Sequence, residues 1–161
     1  MSVRLIVRDN PSDEDRGGIA APLSKFNSSS GYPPDPKPLA ILLVDDDGNT
    51  IGGLYGKTIY DWVFVDLLVV PEHLRGSDIG TELMMEAERV AIERGCVGAW
   101  LTTFTFQARG FYEKLGYELF GELENSPDDN ARLFLRKRLY RAQPPIAASA
   151  SSSARRSARS S

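Results

Sequence analysis

The chain has 161 residues, the size of one domain, and its 42% hydrophobic and 25% charged residues are ordinary for a globular protein. Nineteen basic against 22 acidic residues give a net charge of -3, which disfavours general nucleic-acid binding and suits cationic molecules. No apolar run approaches the roughly 20 residues that cross a membrane, and the N-terminus lacks a signal-peptide pattern. The single cysteine, Cys96, excludes an internal disulfide framework. We expect a cytoplasmic protein that binds neither nucleic acid nor membrane.

The N-terminal part of the chain predicts a short strand followed by a helix. Residues 3–7 have the apolar character of a strand. Ser12 precedes three acidic residues, which is typical of a helix start, and apolar residues then recur at helical spacing at Ile19, Leu23 and Phe26. Residues 27–38 are rich in serine and proline and predict a loop.

Three strands are predicted next, as an antiparallel meander. They cover residues 39–44, 50–59 and 62–70, with an Asp-Gly turn signal between the first two. Three glycines in the second strand indicate bulges or close backbone approach: Gly52, Gly53 and Gly56.

The C-terminal half alternates helices with strands. The predicted elements are a helix at 79–94, a strand at 97–104, a short helix at 107–115 and a hairpin from strands 117–124 and 132–138. Residues 141–161 are rich in Ala, Ser, Pro and Arg and are predicted to be disordered. The sequence therefore predicts a mixed α/β domain over residues 1–140, followed by a low-complexity tail.

Residues 67–81 combine an apolar strand, a polar loop and the start of a helix. The first N–H groups of a helix lack intrahelical partners and lie at the positive end of its dipole, so this order is typical of an anion-binding site. Gly76 and Gly80 would let a phosphate approach the main chain, and Arg75 adds a permanent positive charge.

Two motifs carry a resemblance to a known family. Residues 69–80, Val-Val-Pro-Glu-His-Leu-Arg-Gly-Ser-Asp-Ile-Gly, resemble the acetyl-coenzyme A signature of the GNAT N-acetyltransferases. Residues 107–117, Gln-Ala-Arg-Gly-Phe-Tyr-Glu-Lys-Leu-Gly-Tyr, are similar to a later motif of the same family. The first motif alone is more often a strand, turn and helix without a ligand. One helix and one strand separate the two motifs, as in the family. Together, the two motifs at this spacing make the resemblance strong.

The resemblance implies a mostly antiparallel sheet flanked by helices, in which two central strands splay apart to admit the pantetheine arm of acetyl-CoA. The backbone at Leu68, Val69 and Val70 would hydrogen-bond that arm as an added strand would. The pyrophosphate would be bound by the loop and first helical turn, at Arg75, Gly76, Ser77, Asp78, Ile79, Gly80 and Thr81. Gln107 and Phe111 complete the implied coenzyme-binding residues, and no metal is implied.

Two residues are candidates for catalysis. Tyr112 matches the family tyrosine that protonates the coenzyme thiolate, and the ordinary pKa of a phenol, about 10, keeps it protonated at neutral pH. Its structural alternative is a core aromatic beside Phe111. Asp66 is the only charged residue within its strand. It would bind a cationic amine or receive its proton through water, and the alternative is a solvated side chain. His73 is interpreted as a loop residue and Cys96 as a small core residue.

This chain departs from the family pattern at two positions. The family usually has glycine where Asp78 stands, so a carboxylate lies beside the expected pyrophosphate unless it turns away and caps the helix. The family often has asparagine where Thr105 stands, which bears on how the pantetheine arm or the tyrosine is positioned.

The predicted activity is transfer of the acetyl group of acetyl-CoA to a primary amine, by direct attack in a ternary complex. The acidic domain favours a small cationic acceptor over a protein N-terminus or lysine. A coenzyme-binding module without turnover is the alternative from another functional class. The resemblance is also compatible with a homodimer, because GNAT domains commonly dimerise.

Overall fold

The structure, a computed structural model, describes residues 1–140, and the predicted tail at 141–161 lies outside the described residues. In chain order the elements are α1 (Asp13–Ser29), β1 (Lys37–Val44), β2 (Thr50–Ile59), β3 (Trp62–Val69), a 3₁₀ turn (Glu72–Leu74), α2 (Ile79–Glu93), β4 (Gly98–Phe104), α3 (Arg109–Lys114), β5 (Glu118–Leu123) and β6 (Arg132–Arg138). None of the helices within this range has the length and apolar character that crossing a membrane requires.

The six strands form one sheet in the order β1-β2-β3-β4-β6-β5. Only the pairing of β3 with β4 is parallel, and the other four pairings are antiparallel. Helix α2 crosses over between β3 and β4, as a parallel pair requires. The predicted mixed α/β fold with a mostly antiparallel sheet is therefore confirmed.

The core lies between α2 and one face of the sheet. The buried side chains of α2 recur at helical spacing, as Leu83, Met84, Ala87 and Ala91. They pack on alternate residues of the central strands, including Val63, Val65, Ala99, Leu101 and Leu135. Both sets follow from apolar periodicity that the sequence already shows.

Strands β3 and β4 separate halfway along their length. Their parallel pairing begins at Trp62 and Gly98 and ends at Val65 and Leu101, although both strands continue. On its other side β3 remains paired with β2, where a bulge leaves Asp66 as the extra residue. The splay that the family resemblance implied is thus present, and it opens directly after a bulge.

Helix α2 starts without a capping side chain. Asp78 is the N-cap residue, with a left-handed backbone at φ 60°, and its carboxylate makes no cap hydrogen bond. The condition under which the Asp78 carboxylate would turn away from the pyrophosphate, by capping the helix, is therefore not met. A capping side chain works from an extended backbone, and the left-handed conformation at Asp78 does not offer that geometry.

The N-terminal region differs most from expectation. Ser12 caps α1 as predicted, with a reciprocal bond from its own N–H to Asp15. Residues 3–7, however, form no strand, and α1 buries none of its residues. Alternating apolar residues supply a strand only where an edge pairs with them, and within residues 1–140 the outer edge of β1 remains unpaired.

A polar cluster joins α2 to the strands beyond it. The hydroxyl of Tyr117 donates to Glu88 over 3.0 Å, and the ammonium of Lys137 donates to the same carboxylate over 2.9 Å. Tyr117 is almost fully buried, and burial together with the Glu88 charge raises its pKa well above the ordinary value. The cluster fixes the end of α3 against α2.

We expect Tyr117→Phe to lower the free energy of unfolding by roughly 1.5–3 kcal/mol at pH 7, since hydrogen bonds to charged groups contribute about that much. The unfolded phenol ionises as the pH rises past about 10, whereas the buried one stays neutral. Above about pH 10 the wild type should therefore lose stability, and its free energy of unfolding should approach that of the variant. Urea denaturation between pH 7 and 11 measures both effects, with the exposed Tyr140→Phe as control. A difference in free energy of unfolding that stays constant over this pH range would show that Tyr117 is not a buried, neutral donor to Glu88.

Candidate active site

A cleft of about 950 Å³ lies where β3 and β4 separate. Its walls are the second halves of both strands, the start of α2, and α3 with the loop before it. With one exception, Ser77, the residues predicted for the site all line it. They are Asp66, Leu68, Val69, Val70, Arg75, Gly76, Asp78, Ile79, Gly80, Thr81, Gln107, Phe111 and Tyr112.

The backbone of β3 is open toward this cleft. Beyond Val65 the strand has no partner on the β4 side, while its other side is paired with β2 as far as Val69. Strand N–H and C=O groups on such an open side need hydrogen-bond partners. An extended ligand lying along residues 66–69 would supply them as an added strand does.

The start of α2 presents free donors at the same end of the cleft. The first intrahelical bond runs from the N–H of Glu82 to the carbonyl of Asp78 over 3.0 Å. No residue in the described range accepts from the N–H groups of Ile79, Gly80 and Thr81. Together with the helix dipole, these groups favour a bound anion.

Two neighbours shape this anion-binding end. The guanidinium of Arg75 is exposed and donates through Nε to the carbonyl of Val70 over 3.3 Å. Gly80 lies against the ring of Phe111, and a Cβ built on Gly80 would lie 3.2 Å from that ring. Even a methyl group there would require the Phe111 ring to shift by a few tenths of an ångström, and a larger side chain would require more.

Tyr112 is half-buried in the wall formed by α3. Its ring meets the rings of Phe111 and Tyr117 edge-on, with centroids 5.0 and 6.2 Å away. Burial raises the pKa of Tyr112, so the phenol is protonated at neutral pH. The backbone N–H of Tyr117 donates to the carbonyl of Tyr112 over 3.1 Å, which ties this helix to the Glu88 cluster.

Two predicted coenzyme-binding residues, Ser77 and Gln107, and the departure from the family pattern at Thr105 each make hydrogen bonds within the protein. The hydroxyl of Ser77 donates to the carbonyl of Leu74, outside the cleft. The side-chain oxygen of Gln107 accepts from the hydroxyl of Thr103 and the N–H of Phe104, each over 3.1 Å. Thr105 lies outside the cleft lining and bonds instead to Asn130 and Ala131 in the loop before β6.

Several lining residues were not predicted. They are Val65, Leu67, Leu74, Leu101, Thr102, Thr103, Phe106, Ala108, Lys114 and Leu115. The splay itself was the available signal, because a gap between two strands must be lined by both of them. Lys114 adds an exposed cation on the α3 side.

Two other reactive side chains lie outside the cleft. His73 is exposed in the 3₁₀ turn, as the sequence predicted. Cys96 packs partly against the core, and burial raises the pKa of its thiol. Residues 1–140 contain no group of three or more His, Cys, Asp or Glu side chains arranged to hold a metal ion.

Comparison with known proteins identifies the family to which this fold belongs. The family model of the acetyltransferase (GNAT) family matches residues 11–117. The acetyltransferase Atu2258 of Agrobacterium fabrum is 33% identical over 136 residues, covering 84% of this chain and 99% of its own. The blasticidin-S acetyltransferase of Streptomyces morookaense is 41% identical over 81 residues, covering 50% of this chain and 60% of its own.

Solved structures agree with these relatives. A crystal structure of an acetyltransferase from Agrobacterium tumefaciens superposes with a TM-score of 0.79 at 33% identity, over 85% of this chain and all of its own. The fold is shared by an aminoglycoside 6'-N-acetyltransferase solved with coenzyme A, at a TM-score of 0.59 and 20% identity, over 85% of this chain and 97% of that one. The chain therefore belongs to the GNAT family, as an acetyl-CoA-dependent N-acetyltransferase.

Proposed function

We propose that the chain transfers the acetyl group of acetyl-CoA to a primary amine of a small cationic molecule, by direct attack in a ternary complex. One observation carries the proposal: the open side of β3 and the uncapped start of α2 meet in one cleft that also contains Tyr112. An extended ligand with an anionic end fits these two features together.

The residues present fit coenzyme A. Its pantetheine arm would hydrogen-bond to the open backbone groups of Leu68 and its neighbours. Its pyrophosphate would accept hydrogen bonds from the N–H groups of Ile79, Gly80 and Thr81. Arg75 adds a cation at that end. Gly80 suits this turn because a Cβ there would lie 3.2 Å from the ring of Phe111, tighter than an ordinary contact.

Acetyl-CoA supplies the acetyl group as a thioester, and the chain must position the amine and provide a proton for the departing sulfur. Tyr112 is suited to the second task, because burial raises its pKa and the phenol is therefore protonated at neutral pH, so that Oη can donate its proton to the sulfur as the C–S bond breaks. Asp66, exposed at the bulge and lining the cleft, is suited to bind a cationic amine and take its proton. No activated serine or cysteine faces the cleft within the described range, which favours direct attack.

Charge and the relatives both support a small cationic acceptor. The chain is acidic overall, and Asp66 is an exposed carboxylate that lines the cleft. Two similar proteins are named for small amine-bearing antibiotics, blasticidin S and aminoglycosides. Acceptors on a protein N-terminus or lysine are the alternative outcome of the test. A cytoplasmic location stays a prediction.

The test is a screen of small amines and lysine peptides with acetyl-CoA, in which released thiol is measured for wild type and Tyr112→Phe. We expect turnover of at least one small cationic amine. We expect kcat to fall about 10²–10⁴-fold in Tyr112→Phe, because general-acid catalysis contributes that much. KM should change less, since the proton is needed only as the C–S bond breaks.

The exposed Tyr140→Phe is the matched control and should keep wild-type turnover. Turnover of peptides alone would overturn the proposed acceptor class. A Tyr112→Phe enzyme within about twofold of wild type would show that the hydroxyl is structural. Binding of acetyl-CoA with no turnover of any acceptor would favour the non-catalytic module.

We expect Gly80→Val to weaken acetyl-CoA binding tenfold or more, a loss of about 1.4 kcal/mol. The added side chain would displace α2 from Phe111 and turn the free N–H groups away from the anion. Titration calorimetry measures the affinity. The control is Gly17→Val in α1, where an added Cβ meets nothing within 4 Å. Wild-type affinity in Gly80→Val would show that the coenzyme does not use this turn.

We expect Asp78→Gly to strengthen acetyl-CoA binding, by up to about tenfold, because it removes a carboxylate from the anion-binding end. Stability should be nearly unchanged, since glycine adopts the left-handed backbone freely and no cap bond is lost. Asp61→Gly is the matched control, because Asp61 also has a positive φ, of 67°, but lies outside the cleft. Equal affinities in wild type and Asp78→Gly would mean that the carboxylate points away from the coenzyme.

A further inference from the structure

Helix α1 carries an apolar stripe that is not buried by any of residues 1–140. Ile19, Leu23 and Phe26 lie on one side of the helix, and all three are largely exposed, Ile19 by 77%. The segment before the helix is also apolar and exposed, at Val3, Leu5, Ile6 and Val7. An ion pair of 3.2 Å between Arg8 and Asp15 connects this segment to α1.

One face of the sheet is equally uncovered. We define the outer face as Leu42, Val44, Tyr55, Leu67 and Val69, and each of these is about half exposed. The strand register makes these side chains neighbours. Tyr55 pairs with Leu67, and Gly53 lies between Leu42 and Val69 because it pairs with both. The opposite face of the same strands carries Leu39 and Leu54, which are buried under α2. Among the described residues, β1, β2 and β3 are therefore covered on one side only.

We propose that α1 of a second copy of this chain covers the outer face, and that the two copies exchange their α1 helices reciprocally. Each copy then buries one helix stripe and one sheet face, so a twofold arrangement leaves neither surface open. Residues 3–7 would accompany α1 and reach the unpaired outer edge of β1.

The placement of α1 favours a second copy over the chain's own helix. The segment after α1 is held at the turn between β2 and β3, where the hydroxyl of Tyr60 donates to the carbonyl of Tyr32 over 2.9 Å. Arg94 donates to the carbonyls of Lys37 and Pro38 as β1 begins. With its exit held in this way, α1 is directed away from the sheet and buries no residue.

The two surfaces are large enough for a stable dimer. A stable interface buries about 800 Å² on each partner. Large apolar side chains supply roughly 100 Å² each when fully buried. The exposed stripe, the N-terminal segment and the outer face together reach that area, and exposed apolar patches of this size are uncommon on monomers.

The exchange would also complete a wall of the cleft. Leu67 and Val69 belong to the outer face and also line the cleft. A helix seated on the outer face therefore closes the cleft on the side where β3 is exposed. The second copy would then contribute α1 residues beside Leu67 and Val69 in the wall of the cleft.

The first test is the mass of the full chain in solution, by light scattering after gel filtration. Wild type should be a dimer, and Leu23→Asp should shift it to a monomer that keeps its far-UV circular dichroism. The matched control is Ala21→Asp, because Ala21 is exposed on the opposite side of α1 and should leave the dimer intact. A monomeric wild type, or a Leu23→Asp protein that remains dimeric, would overturn the proposal.

The second test distinguishes exchange from docking within one chain. In a Cys96→Ser background, a chain carrying Leu23→Cys is co-expressed with a chain carrying Leu42→Cys and treated with a short bismaleimide. Such a linker bridges pairs that the narrow geometry of a disulfide excludes. Exchange predicts a cross-linked heterodimer, which should be absent when Ala21→Cys replaces Leu23→Cys.

Docking of the chain's own helix predicts the reverse, and it would overturn the proposal. The co-expressed chains would then give no heterodimer, and one chain carrying both cysteines would be bridged internally as a monomer. These readouts do not involve acetyl transfer, so they are independent of the proposed activity.

Discussion

The site depends on the point at which β3 and β4 stop pairing. As far as Val65 and Leu101 the two strands are an ordinary parallel pair, and beyond these residues each has one open side. Open backbone groups are costly unless they are solvated or bound, so the splay creates a demand for hydrogen bonds along one side of β3. The bulge at Asp66 lies at the start of the open stretch and aims the strand into the gap.

Helix α2 connects this gap to the core. It follows β3 in the chain and crosses over to β4, so its N-terminus necessarily lies at the end of the sheet where both strands finish. Its buried side chains anchor it to the sheet, and Glu88 ties it to Tyr117 and Lys137. The donors at its first turn are therefore presented by a rigid element, and the helix that bears Tyr112 is held to the same support.

Much of this architecture could be predicted from the sequence, for identifiable reasons. Helix α2 and strands β2 and β6 could be predicted from the spacing of their apolar residues and from the turn residues that flank them. Strand β2 begins and ends where predicted. The splay could come only from resemblance, because nothing in the residues of β3 or β4 shows where their pairing stops. The absence of a cap bond at Asp78 could not be predicted, because cap preference describes an extended backbone and the loop imposes a left-handed one. The prediction of a strand at residues 3–7 was wrong because an apolar pattern does not show whether a sheet edge is available to pair with it.

The uncapped first turn of α2 has a consequence for how the protein behaves between turnovers. Ile79, Gly80 and Thr81 have no partner for their amides within the described chain, so this turn is the least protected part of the helix and should exchange its amide hydrogens first. An anion that accepts from those amides acts as the missing cap residue. Recognition of the ligand and completion of the helix are then the same event, and the ordering that it requires is confined to a single turn.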